Sequence, residues 1–536
     1  MKYTIKQKLK LKLLMFSVVL MIMANPCVSL NMNSGINSTI SGNNDSTCLS
    51  LYDARDLLAP NAIWDDFYNL TRVPRPSHHE EKISAYLADF GRLLALETIV
   101  DDVGNVLIRK PATVGMENLT GVILQAHMDM VAQKDADKSF DFQNDPIDAY
   151  VEDGWAKANG TTLGADDGIG VATIMSILQD KELAHGPLEA LFTVNEEDGF
   201  TGVNGLKPDL LQGKIFINVD SETEGEFTIG SAGGLYIDAM ENYSEEKTPA
   251  QMAGFKISIK GLNGGHSGVD IGLGRGNAGK ILSRILWNAQ RSFGLRIASF
   301  DGGDRYNAIP REAGAVVAVP DSEADSFARY VQQFQSTVQN ELSATEPDLA
   351  IEAEKTDLPA RVMDEQSAAR LISAVYSCPN GVLRMSDAVP GLVETSSSMG
   401  ILKAENGAFW AGFYIRSAID SARDDLGDMI RSVFELAGGN VSFHDSYSGW
   451  APNPDSPILG LMKQIYMEKF GYEPKVIAIH AGLETSVVGE KYPGMDMISV
   501  GPTLQDVHTP KERLEISTVP SVYDLLEETL MKIPSR

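Results

Sequence analysis

Short apolar runs alternate with helical periodicities along the first third of the chain. Val122–Leu124, Leu191–Val194 and Ile215–Val219 read as buried strands of a few residues each. Ile169 to Leu178 reads as a helix, with Ile174, Ile177 and Leu178 on its buried face. Ahead of these, Ser77 and Glu80 in PSHHEE have the spacing of a capping box, which predicts a helix carrying Ile83, Leu87 and Phe90 on one side. Strands alternating with helices predict an α/β fold with a mostly parallel central sheet. In such sheets ligands sit beyond the carboxyl ends of the strands.

The pattern changes after about Gly233. Phe255, Ile257 and Ile259 alternate with Lys256, Ser258 and Lys260, as in a half-solvated strand. A glycine-rich loop follows, then an amphipathic helix with Ile281, Leu282, Ile285 and Leu286. Strand patterns return at Ala313–Val319 and Ala408–Ile415. The middle of the chain therefore reads as an inserted α+β lid domain, residues 234–447, which interrupts a catalytic domain of residues 51–233 and 448–536. A strand at Asp496–Val500 and a helix from Ser517 to Lys532 close the first domain.

The N-terminus is of another kind. Lys2, Lys6, Lys8, Lys10 and Lys12 precede an apolar run from Leu13 to Ala24, and Cys27 and Ser29 suit a cleavage site. Residues 1–30 read as a signal peptide, too short for a membrane span, and residues 31–50, rich in Asn, Ser and Gly, as a flexible linker. The leader predicts a secreted, periplasmic or endomembrane-lumen protein. With three cysteines in 536 residues, a disulfide framework and thiolate zinc sites are not expected. The formal charge of −28, from 73 acidic and 45 basic residues, argues against a nucleic-acid partner.

Metal-type side chains recur at the ends of the apolar runs. They are His127 in QAHMDMV, Asp166 in LGADDGIG, Glu197 in VNEEDG, Asp220 in NVDSE and, far downstream, His508 in HTPKE. Two imidazoles and three carboxylates suffice for two zinc-class ions if one carboxylate is shared. Such a pair supports metal-assisted hydrolysis. Asp166 is our choice for the shared ligand, although one of the Asp166–Asp167 pair also fits a helix N-cap. Asp129, two residues past His127, can orient its ring. Glu196 and Glu197 point to different sides in extended chain, so Glu197 is assigned to a metal and Glu196 to proton transfer. His266 in GGHSG fits a loop that brings an oxyanion donor from the second domain. Asn307 in YNAIP and Arg416 at the end of AGFYIR fit substrate contacts, and equally a turn Asn and an exposed strand-end Arg. His480 in HAGLE lies near the return to the first domain, where it can line the pocket.

These motifs, in this order from about residue 51 to the C-terminus, resemble the aminoacyl-histidine dipeptidases. These are carnosine-hydrolysing members of the dizinc peptidase, aminoacylase and glutamate-carboxypeptidase family. The resemblance implies zinc ligands at His127, Asp166, Glu197, Asp220 and His508, with two Zn2+ per subunit and Co2+ or Mn2+ as substitutes. It implies Asp129 as the orienting acid, Glu196 as general base, and His266, Asn307, Arg416 and Gly482 as substrate contacts. It further implies a homodimer formed through the lid domain, with a lid histidine able to act across it, and a usually cytosolic location. The reading is a dipeptidase acting on Xaa-His and related unblocked dipeptides. The alternatives are an N-acyl-amino-acid hydrolase or aminopeptidase on the same scaffold, and a non-catalytic binding protein.

Overall fold

The computed structural model describes residues 48–535; the leader and most of the linker lie outside the described residues. Two large sheets organise the chain. The first has eight strands, in the order Glu97–Val100, Val106–Lys110, Leu188–Thr193, Val122–His127, Ile215–Asn218, Asp496–Ser499, Glu226–Ser231, Lys475–Ile479. Its centre is parallel, from Leu188–Thr193 across to Asp496–Ser499. Antiparallel pairs flank the centre on both sides, so the sheet is mixed.

The continuous apolar runs follow from burial on both faces. Val122, Leu124 and Ala126 point into a core shared with the helices Asn61–Thr71, Ala165–Gln179, Pro457–Phe470 and Val519–Lys532. Ile123, between them, points into a smaller core on the other face with Leu191, Phe216, Val487 and Val488. The helix Ala165–Gln179 is buried on nearly every side rather than on one face.

The second sheet takes up the chain between Gly233 and Tyr447. Its nine strands pair antiparallel throughout. Phe255, Ile257 and Ile259 face a core with Ile281, Leu282, Ile285 and Leu286 of the helix Ala278–Phe293, as their spacing predicts. A two-stranded ribbon, Gly265–His266 with Ala308–Ile309, projects from this unit.

Two expectations need correction. The Ser77–Glu80 capping box does not form: the Ser77 hydroxyl donates to Asp129 at 2.8 Å and the Glu80 carboxylate accepts the His78 amide at 2.9 Å, and the helix runs from Glu81 to Leu93. Leu49 and Ser50, inside the stretch read as linker, pair with Val151 and Tyr150. Cys378 is free and buried. Among the described residues no helix is long and apolar enough to cross a membrane.

Candidate metal centre

The strand ends converge on one acidic pocket. His127 closes its strand, and Asp220 lies two residues past the end of the neighbouring strand Ile215–Asn218. The His127 Nε2 lies 3.1 Å from Asp166 Oδ1 and 3.5 Å from Asp220 Oδ1. On the other side, His508 Nε2 lies 3.0 Å from Asp166 Oδ2 and 2.9 Å from Glu197 Oε2. Asp166 therefore gives one oxygen to each imidazole. All five predicted ligands meet, and they fall into two sets of three around a shared carboxylate.

The electrostatics fit a cation site. Burial pushes the Asp166 carboxyl up, but the two imidazoles outweigh it and hold it well below the usual carboxylate range. Burial and the Asp166 charge lift Glu197 to about 7, and burial lifts Asp220 to about 6. The hydrogen bonds to Asp166 and Glu197 raise His508 to about 11. Buried carboxylates that only imidazolium protons relieve are suited to a metal ion. Glu197 Oε1 is buried and has no hydrogen-bond partner, as a free ligand atom should.

Asp129 works on both flanks of the centre. Its Oδ1 lies 3.3 Å from His127 Nδ1, close but out of line for a good hydrogen bond. It also accepts the backbone amides of Glu196 at 3.0 Å and Glu197 at 3.3 Å. One buried carboxylate thus holds the Glu196–Glu197 turn and lies beside the His127 ring. The Glu196 side chain lines the cavity, and burial, together with the charges of Asp220, Glu197 and Glu484, raises its carboxyl well above the ordinary value against the pull of His127.

His266 lines the same cavity of about 520 Å³, together with Gly482 and four of the predicted ligands. Its Nδ1 accepts the amides of Gly268 and Val269, each at 3.2 Å, which assigns the ring proton to Nε2. Burial and the Arg416 charge hold this ring neutral, with its pKa down at about 4. Arg416 Nη2 sits 3.3 Å from that Nε2. With the proton on Nε2, both groups are free to donate to acceptors of a bound substrate. The guanidinium is buried against Tyr414, its Nε is unpartnered, and no ion pair to it forms among the described residues.

Two residues sit differently from expectation. The Asn307 side chain is exposed and off the cavity wall, and its carbonyl instead accepts the Ser267 amide at 2.8 Å, bracing the His266 loop. The His480 ring turns from the cavity to Ser396, 2.7 Å from Nε2 to Oγ. The cavity wall is made by Ala481 and Gly482 instead. A side chain at Gly482 would press on Tyr447 and Phe200.

The family profile described as Peptidase family M20/M25/M40 matches residues 123–532, which hold every one of these side chains. The chain belongs to that family. A cytosol non-specific dipeptidase of Escherichia coli strain K12 is 41% identical over 479 residues, 89% of this chain and 99% of its own. The crystal structure of aminoacylhistidine dipeptidase from Vibrio alginolyticus superimposes with a TM-score of 0.85 at 41% identity, over 90% of this chain and 98% of that one. Aminopeptidase PepT from Bacillus cereus shares the fold alone, at a TM-score of 0.52 and 16% identity over 89% of this chain and 99% of that one.

The candidate centre is also surrounded by acids that had no role assigned in the motifs above. Glu222, Glu484 and Glu512 are the closing residues of NVDSE, HAGLE and HTPKE. Glu222 lines the cavity, and burial with the charges of Asp166 and Asp220 lifts it to about 7. Glu484 is fully buried and raised to about 8 by burial, and it accepts from Gln125 at 2.6 Å and Thr193 at 2.7 Å beneath the strand ends. Their one sequence signal is a fixed place at the end of a motif whose other members had roles.

Proposed function

We propose that the chain is a metal-dependent dipeptidase that hydrolyses Xaa-His and related unblocked dipeptides at a site for two divalent ions. The observation that carries this reading is the division of Asp166 between the two imidazoles. His127, Asp220 and Asp166 Oδ1 would hold one ion, and His508, Glu197 and Asp166 Oδ2 the other. The nitrogen and oxygen donors suit zinc, with Co2+ or Mn2+ as substitutes. Such ions, when bound, polarise a carbonyl and lower the pKa of an attacking water.

The chain's own groups do the rest. Glu196, a carboxyl on the cavity wall with no hydrogen-bond partner among the described residues, takes the proton of the attacking water and hands it to the leaving amine. His266 donates its Nε2–H to the developing oxyanion. Arg416 receives the carboxylate of the substrate's C-terminal residue. Glu222 and Glu226 place acid on the cavity wall, which favours a free ammonium over a blocked one.

In this reading residues 51–233 and 448–536 form the catalytic domain and 234–447 the lid. The resemblance supports pairing of two chains through the lid, and His266 shares a cavity with ligands of its own chain. The leader pattern of residues 1–30 supports export, which fractionation of the source cell tests: enzyme confined to the cytoplasm would overturn it. The function itself is tested by the purified protein on carnosine, other unblocked dipeptides and N-acetylated amino acids. Release of histidine from carnosine is expected. Turnover of the acetylated substrates alone would replace the reading with an N-acyl-amino-acid hydrolase.

A further inference from the structure

Two buried charged residues, neither of them an expected ligand, hold the loop of Asp166 from opposite sides. Arg75 and Glu512 are each only 3% exposed. Neither forms an ion pair with a neighbouring side chain among the described residues; both spend their hydrogen bonds on backbone. Arg75 Nη1 donates to the carbonyls of Met128 at 3.1 Å and Asp129 at 2.8 Å, and its Nη2 donates to the carbonyl of Gly164. A Cβ on Gly164 or Gly168 would strike this guanidinium, which accounts for two of the glycines in LGADDGIG.

Glu512 grips the same loop by its amides. Its Oε2 accepts from Leu163 at 2.8 Å and Gly164 at 3.0 Å. Its Oε1 accepts from Ala165 at 2.7 Å and Asp166 at 3.3 Å. Each contact is a charge-assisted bond of the stronger kind, made where water cannot compete. Arg75 thus ties the Asp166 loop to the strand end that carries His127. Glu512, four residues past His508, ties the same loop to the segment that carries His508.

We propose that Arg75 and Glu512 are positioning residues of the two-ion site, each setting one half of it: Arg75 fixes the shared Asp166 against His127, and Glu512 fixes it against His508. The inference rests on the two-ion reading of Asp166. It divides the labour so that damage to either residue is felt first at its own ion. Groups that orient ligands in this way typically govern metal affinity by about 10–100-fold.

The test is a titration of metal-stripped protein with Co2+, followed by visible absorption against a competing chelator. It is run on wild type, Glu512→Gln and Arg75→Lys, with His508→Ala and His127→Ala as references for loss of one half. Wild type should bind two ions; fewer would end the two-ion reading itself, and this shows before any variant is made. Glu512→Gln should weaken one ion by about 10–100-fold and give the spectrum of His508→Ala, while Arg75→Lys should converge on that of His127→Ala. Glu512→Asp, which keeps the charge with a shorter reach, should show a smaller loss at the same ion. Equal weakening of both ions, or wild-type binding in both variants, would overturn the proposal. So would far-UV circular dichroism showing that neither Glu512 variant folds, because the residue would then serve the fold and not the site.

Discussion

Replacing Glu196 by Gln separates chemistry from metal binding. The Glu196 carboxyl has no hydrogen bond or ion pair among the described residues, and its backbone amide is held by Asp129 at 3.0 Å whatever the side chain. The substitution keeps the shape and removes the capacity to take a proton. It also removes a buried acid that Asp220, Glu197 and Glu484 all repel, so folding stability should hold or rise. A positioned general base contributes about 10²–10⁴-fold, or about 3–5 kcal/mol of barrier. The expected result is a fall in kcat of that size, with KM and bound metal near wild type. Steady-state kinetics on carnosine, with metal analysis of the same sample, reads both. Glu196 also lies within ligand reach of His127 and Glu197. A variant that keeps a kcat within threefold of wild type would refute the assignment. One that loses an equivalent of metal would make Glu196 a ligand instead of the base.

Further outcomes follow from the same geometry. His127→Ala should lower bound zinc below the wild-type stoichiometry, read by elemental analysis; unchanged zinc would remove His127 from the centre. Arg416→Ala should raise KM for free dipeptides by about 10–100-fold and leave that for C-terminally amidated analogues nearly unchanged, because the charge pair is what is lost; equal effects on both would deny the carboxylate contact. The metal-free protein should melt at lower temperature as the pH rises from about 5 to 8. Glu197 at about 7 and Asp220 at about 6 are raised above their unfolded values, so the folded state binds extra protons in this window and stability falls with pH. His508, raised to about 11, loses its contribution in the same direction above its unfolded value, whereas the depressed Asp166 matters only below about pH 4. Saturating zinc should flatten the trend, and a metal-free melting temperature that climbs across this range would contradict the charge account.

What the sequence made legible was whatever depends on where an apolar run stops. His127 and Asp220 could be placed because their strands are buried on both faces and read as uninterrupted runs that end in a polar residue. The shared role of Asp166 followed from charge balance, as two ions need one common carboxylate. The mixed sheet was not legible, because its antiparallel margins depend on partners far apart in the chain, such as Glu226–Ser231 beside Asp496–Ser499. The capping box failed for a similar reason. Ser77 has the right spacing from Glu80, but a buried Asp129, 52 residues on, competes for its hydroxyl and wins. Arg75 lay out of reach altogether, and Glu512 offered only its place at the end of HTPKE, since both act on backbone amides and carbonyls and Glu512 meets its loop across as many as 349 residues.

The central claim is that two ions around Asp166 are needed for amide hydrolysis, and one titration tests it most directly. Protein stripped by chelation is given zinc in known equivalents, and histidine release from carnosine is followed at each addition. The account predicts no release without metal and full activity on reaching two equivalents per chain. Full release from the stripped protein, or a plateau at one equivalent, would contradict it.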